Sequence, residues 1–202
     1  GLPVDTGLLR DLAGEIGWAK VSNVGAADYA ALAPSRGRQV AGRTPEQVGR
    51  VLARYEQVKQ TRGVVDFDDI LLCAAALLSD HPEVAAEVRA QYRTFVVDEY
   101  QDVSPLQQAL LDLWRGPRDD LCVVGDPAQT IHSFAGAQAS FLTGFAARHP
   151  DATVIELVRD YRSSEPVVRL ANQLSVRSRI AAVTLESQAG SGPEPRFAGC
   201  SS

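Results

Sequence analysis

Apolar positions recur at helical spacing through the first part of the chain, then gather into short blocks separated by polar turns. The clearest helix start is Thr44-Pro45-Glu46-Gln47, where Thr44 can cap, Pro45 takes the first helical position and Gln47 the reciprocal capping position. Val48, Val51, Leu52, Tyr55 and Val58 follow as a stripe along one face, which leaves Arg50, Arg54 and Lys59 on the other. Trp18 lies in a similar helical stretch and is expected in the core. From residue 64 helices and apolar strands alternate. "DFDDILLCAAALL" reads as a helix capped by Asp66, and "TFVVDE" as a strand. Ser104-Pro105-Leu106-Gln107 opens another helix, with Leu106, Leu110 and Leu113 as its buried stripe. "LCVVGD" is a second strand, "ASFLTGFAARH" a helix, "TVIELVRD" a third strand and "EPVVRLANQL" a further helix.

That rhythm predicts an α/β fold, a parallel sheet with helices packed on it. The Gly-, Ser- and Pro-rich tail from about Ser187 reads as loop or linker, and no internal repeat is present.

Composition narrows the class further. The 202 residues, 45% of them hydrophobic, suffice for one large domain or two small ones with a sizeable core. Cys73, Cys122 and Cys200 have neither metal-ligand nor disulfide spacing and read as small hydrophobes or stray thiols, pointing to a reducing, cytoplasmic setting. No apolar run long enough for a membrane span and no secretory leader are present. The start at Gly1 and the absence of methionine suggest a fragment or a processed chain. A net charge of −5 argues against a protein that coats DNA through bulk charge, but the segment from Arg36 to Arg62 holds Arg36, Arg38, Arg43, Arg50, Arg54, Lys59 and Arg62 against only Glu46 and Glu56. It is either a solvated helix face or a phosphate-contacting surface.

In an open parallel sheet, ligands bind beyond the carboxyl ends of the strands. Asp98-Glu99 ends one strand here and Gly125-Asp126 the next. An Asp in that place can hold the water shell of a Mg²⁺ on nucleotide phosphates, and a neighbouring Glu can orient or deprotonate an attacking water, the Walker B arrangement. Acids after a strand also serve as helix caps or solvated turns.

"VVDEYQD", "VVGDPAQTIHSFAGA" and "LVRDYRSS" follow one another in an order and spacing that resemble motifs II, III and IV of the UvrD/Rep-type superfamily 1 DNA helicases. "DFDD", residues 66–69, resembles the short acidic motif that precedes motif II in that family, while its own chemistry reads as a helix cap. The resemblance covers residues 64–185 strongly and residues 1–60 in position and helical character. It implies a partial RecA-like (P-loop NTPase) sheet plus a helical insertion. Residues 1–62 would be the insertion, 63–158 the later half of the first RecA-like domain, and 159–202 the start of the second.

By this resemblance Asp98 serves Mg²⁺, Glu99 activates water, and Gln101 and Asp102 complete motif II. Asp126 belongs to the nucleotide side, Gln129 senses the γ-phosphate, and Arg162 reaches it across a cleft as an arginine finger. Phe134, and more weakly His132, would stack on bases of single-stranded DNA. Taken singly, Phe134 could equally be core, Gln129 a turn residue and Arg162 a surface ion-pair partner. The sequence departs from the family at His132, where tyrosine is common, at Ser133 and Ala135, where arginines flank, and at Asp160, where asparagine is usual.

The Gly-rich loop ending in Lys-Ser or Lys-Thr that cradles phosphates is also missing, since Lys20 and Lys59 stand in no such context. The expectation is therefore an interior piece of an ATP-dependent helicase acting on single-stranded and duplex DNA, in repair or replication, completed by N- and C-terminal parts of the same protein. The alternatives are a non-catalytic, helicase-derived module that binds DNA or a partner, and a helicase-nuclease of the same superfamily.

Overall fold

The computed structural model describes residues 5–178 and 183–199. Helix α1 (Thr6–Val21) begins where the Asp5 carboxylate accepts the Leu8 N–H at 2.6 Å. A short α2 (Tyr29–Leu32) and the long α3 (Pro45–Arg62) follow. Helix α3 has the full capping box, Thr44 and Gln47 each accepting the other's N–H. It ends in a Schellman turn, with Gly63 at φ 63° and the Val64 N–H returning to the Lys59 carbonyl at 3.1 Å.

The expected stripe turns inward as predicted. Val48 and Leu52 pack with Trp18, Ala19, Val24, Tyr29, Ala33 and Val40 in the main core cluster. Trp18 and Tyr29 meet edge to face at 6.3 Å.

Helix α4 (Phe67–Asp80) carries a second capping box, Asp66 with Asp69, and α6 (Pro105–Arg115) a third, Ser104 with Gln107. Between them lie α5 (Pro82–Gln91) and strand β1 (Phe95–Val97), and after α6 comes β2 (Leu121–Val123). The strands pair in parallel, Phe95 opposite Leu121 and Val97 opposite Val123. Helix α6 packs against α4 and α5, and Trp114 of α6 takes the edges of Tyr92 and Phe95 at 5.4 and 5.6 Å. The Arg89 guanidinium donates to the Leu113 carbonyl near the end of α6 at 3.0 and 2.6 Å, satisfying an acceptor that the helix cannot.

Several expectations are corrected. The predicted third strand is reduced to β3 (Arg159–Asp160), paired in parallel with β4 (Glu186–Ser187). Residues 153–157 have no ladder partner among the described residues, and Val154, Ile155 and Leu157 lie exposed. A strand is defined by its neighbours, and the apolar alternation of "TVIELV" cannot provide them. The described residues are thus mostly helical, with small two-stranded parallel sheets rather than one broad sheet. The helix expected over residues 139–149 is broken at Gly144 into α7 (Ser140–Thr143) and α8 (Phe145–Arg148).

Helix α9 (Glu165–Ser178) is formed as expected. The tail over 188–199 has no regular structure but is docked on α9, where Arg169 pairs with Glu194 at 2.6 Å and the Glu165 N–H donates to the Gly190 carbonyl. Cys73 and Cys122 are exposed thiols rather than buried ones, and Cys200 lies outside the described residues.

Lys59 is the correction with most consequence. It is buried, not solvated, and with Lys20 it converges on the acids of the α4 cap. Lys59 reaches Asp69 at 2.6 Å, Glu56 at 2.8 Å and Asp66 at 3.2 Å, while Lys20 bonds Asp66 at 2.5 Å and also Asp69. The Tyr55 hydroxyl adds a bond to Asp66 at 2.9 Å. Burial alone would raise the Asp66 and Asp69 carboxyls, but the Lys20 and Lys59 ammoniums and the reciprocal cap amides more than offset it and hold both low. Burial likewise opposes charge on Lys59, and its carboxylate partners overturn that and raise it.

Candidate functional site

The two carboxyl ends of the paired strands lie side by side, and the acids follow directly. Glu99 sits at φ 50°, ψ 40°, a left-handed conformation that costs a non-glycine residue about 1–2 kcal/mol. Its surroundings impose it. The Tyr100 N–H is taken by the Val124 carbonyl at 2.9 Å, the Asp102 N–H returns to the Glu99 carbonyl at 2.9 Å, and the Glu99 N–H donates to Asp98 Oδ1 at 2.9 Å. Both carboxylates are exposed, with no cation paired to either among the described residues.

Buried Gln101 links the two strand ends. Its Nε2 donates to Glu99 Oε2 at 2.6 Å, and its Oε1 accepts the Asp126 N–H at 3.0 Å. Asp126 in turn accepts the Ala128 N–H at 2.9 Å on one oxygen and Gln129 Nε2 at 2.9 Å on the other. An unbroken hydrogen-bonded chain therefore runs Glu99–Gln101–Asp126–Gln129. It requires glycine at 125, where a Cβ would lie 2.5 Å from Gln101 Oε1 and 2.9 Å from Leu142 Cδ2. Asp102, of the same segment, keeps a buried Oδ1 with no partner among the described residues.

This donor set suits a hard divalent cation. Asp98 retains an oxygen not used by the turn, and carboxylate oxygens are the ligands that Mg²⁺ accepts. Glu56, Asp66 and Asp69 also bring carboxylate oxygens within 4.8 Å of one another, but Lys20 and Lys59 already neutralise them.

Phe134 and His132 occupy the loop beyond Gln129. Phe134 is 66% exposed in this chain, and its ring lies 5.9 Å from that of His132. The loop folds back through a turn at Gly136, φ 96°, where a Cβ would come within 2.5 Å of Val21 Cγ2 on α1.

Arg162 stands apart. Asp160 accepts the backbone N–H groups of Ser163 and Arg162 at 2.8 and 2.7 Å, and these bonds hold its carboxyl low. The Arg162 side chain is exposed, without a hydrogen bond or ion pair to Asp98, Glu99 or Gln129. The structure thus joins Glu99, Gln101, Asp126 and Gln129, keeps Asp98 beside them, sets His132 and Phe134 farther along the same loop, and leaves Arg162 without a bond to any of them.

Sequence reasoning missed Glu15 and Arg38. Both carboxylate oxygens of buried Glu15 are occupied, one by Arg38 Nη2 and one by the Tyr29 hydroxyl, each at 2.5 Å. Burial first, and then the Glu15 carboxylate, push the Tyr29 phenol well above its ordinary range. Arg38 was visible only as a member of a basic run.

The profile of the UvrD/REP helicase N-terminal domain family matches residues 19–150, most of the chain and all of motifs II and III. The chain belongs to the UvrD/Rep helicase family. Among its relatives, the ATP-dependent DNA helicase UvrD2 of Mycobacterium tuberculosis is 47% identical over 97% of this chain and 29% of its own length. The ATP-dependent DNA helicase UvrD1 of Mycobacterium leprae is 33% identical over 65% of the chain and 18% of its own length. An ATP-dependent helicase/nuclease polypeptide of Natranaerobius thermophilus is 35% identical over 61% and 10%. The chain spans less than a third of the length of these relatives. No helix among the described residues is long and apolar enough to cross a membrane.

Proposed function

We propose that this UvrD/Rep-family chain supplies the hydrolytic side of an ATP site and part of the single-stranded DNA path of a helicase. The observation that carries the reading is the chain Glu99–Gln101–Asp126–Gln129, which ties two strand ends and the following loop into one polar unit. Asp98, with its free oxygen, would hold Mg²⁺ through water, and the ion would supply charge neutralisation at the phosphates of ATP.

Glu99, held by Gln101, points a carboxylate at the attacking water and takes its proton. The Gln129 side chain is tethered to Asp126 by one bond that a γ-phosphate oxygen can replace, so nucleotide occupancy is felt at the base of the loop that carries His132 and Phe134. Those exposed rings stack on bases of single-stranded DNA. Arg162 serves only when a closing motion carries it to the γ-phosphate, a role in keeping with its exposed side chain, which has no partner among the described residues. Lys20 and Lys59 are locked onto carboxylates, so the phosphate cradle and its lysine come from another part of the helicase.

In this reading residues 1–62 form the helical insertion, 63–158 the later half of a first RecA-like domain, and 159–202 the start of a second. The complete protein uses ATP to separate duplex DNA in the cytoplasm. The test is turnover of magnesium-ATP with and without single-stranded DNA. The purified 202-residue chain should show none above a Glu99→Gln control. The full-length protein should show DNA-stimulated turnover that Glu99→Gln abolishes while nucleotide binding survives. Normal hydrolysis by that variant would refute the assignment.

A further inference from the structure

The loop that carries Phe134 is anchored at both ends, and the anchors differ in kind. Its start is tied to the acid site through Asp126 and Gln129. Its far end is held in two ways. The Gln138 N–H donates to the Val103 carbonyl at 3.1 Å, and Arg38, 96 residues upstream of Phe134, donates Nη1 to the Phe134 carbonyl at 3.1 Å. Arg38 is itself held on two further sides. Nη2 donates to Glu15 Oε1 at 2.5 Å, and the guanidinium lies 5.0 Å from the centroid of the Trp18 ring. Glu15 cannot drift, because the Tyr29 hydroxyl holds its other oxygen. One rigid, planar fork therefore spans a buried carboxylate on α1 and the backbone of an exposed aromatic residue, a geometry that arginine can make and lysine cannot.

We propose that Arg38 is a positioning residue for single-stranded DNA: by holding the Phe134 carbonyl against the Glu15–Trp18 face of α1, it sets where the Phe134 ring stands to receive a base. The role rests on the reading of Phe134 as a stacking residue, and Arg38 itself contacts no DNA. Part of the basic run at residues 36–62 is thereby spent inside the protein, as Lys59 is. Nucleotide state enters the loop at Gln129, and the helical segment restrains it at Phe134. The aromatic residue moves only between those limits.

Two measurements test this, with Arg38→Lys as the main variant because it keeps a cation on Glu15 and so preserves the fold. The first is amide hydrogen exchange of the 202-residue chain without DNA. Ala135, Gly136 and Ala137, whose N–H groups bond back to His132 and Ser133, should exchange about fivefold faster in Arg38→Lys, the ratio expected for one lost hydrogen bond. Unchanged exchange would overturn the proposal.

The second is a double-mutant cycle on oligothymidylate affinity in the full-length protein. Arg38→Lys should weaken binding about three- to tenfold when Phe134 is present and less than about twofold in the Phe134→Ala background. Equal weakening in both backgrounds would make Arg38 a direct phosphate contact and overturn the positioning role. Faster exchange with unchanged DNA affinity would overturn it too. If Phe134→Ala itself leaves affinity unchanged, the stacking reading fails and the DNA role of Arg38 fails with it. The exchange result would then separately report whether the Arg38 anchor exists.

Discussion

Two groups of acids in this protein show how the same side chain serves opposite purposes. Asp66 and Asp69 lie at the start of α4, capped reciprocally and saturated by Lys20, Lys59 and Tyr55. Asp98 and Glu99 lie at the end of β1, exposed, with only N–H donors attached and no cation alongside among the described residues. The first group joins α1, α3 and α4 and has nothing left to offer a ligand. The second is held just as firmly, through Gln101 and a left-handed backbone at Glu99, but its charge is unspent. An acid is available for chemistry when its geometry is fixed by neutral donors and its charge is not.

That contrast can be broken most decisively at Arg162. If the open acids meet ATP, an arginine delivered to the γ-phosphate is worth about 10³–10⁵ in rate, and Arg162→Ala in the full-length protein should lower kcat by that order. Normal turnover would remove Arg162 from the site. Glu99→Gln should follow at about 10²–10⁴, the range for loss of a general base, with the melting temperature barely moved because the amide can still accept from Gln101.

On the closed side the expected loss is of stability. Lys59→Met leaves Asp69 and Glu56 short of a buried partner and should lower the unfolding free energy by about 3 kcal/mol, as for other broken buried pairs. Denaturant melts would show it, and an unchanged midpoint would mean that Lys20 alone suffices.

Phe134→Ala should weaken single-stranded DNA binding by about 1–3 kcal/mol, the stacking contribution of one base. An exposed ring contributes little packing, so thermal stability should hold. A markedly destabilised variant would contradict the exposure of the ring.

The smallest expected effect separates the two groups by pH. Asp66 and Asp69 are depressed in the folded state, so their contribution is complete above the ordinary carboxyl value of about 3.9 and is lost as pH falls through their lower folded values. Lys59 is raised, so its contribution is complete below about 10.4 and is lost only as pH rises through its higher folded value. The melting temperature should stay flat from about pH 5 to 9 and fall below about pH 4. Lys59→Met should show a shallower acid decline. A decline already under way near pH 6 would point to other groups.

Much of this was legible from local pattern. The capping boxes at Thr44 and Ser104 and the cap at Asp66 formed as read, because each depends on residues three apart in the chain; that Asp69 returns the bond to Asp66 is what the structure adds. The parallel pairing of "FVV" with "LCV" and the acids beyond it followed from apolar blocks closed by polar turns. The third strand did not, since residues 153–157 alternate correctly but find no neighbour among the described residues.

The sequence alone determined where α3, α4, α6 and α9 start, which stripe turns inward and which motif order marks a UvrD/Rep-family chain, since all of these are local or follow chain order. Only the tertiary structure decided the fate of each charge. Lys59 and Arg38 sit in the same basic run as Arg50, yet Lys59 is buried among acids, and Arg38 is divided between Glu15 and a loop 96 residues away. Whether a charge is spent or free depends on which oxygens come within about 3 Å of it, and spacing along the chain carries no record of that distance.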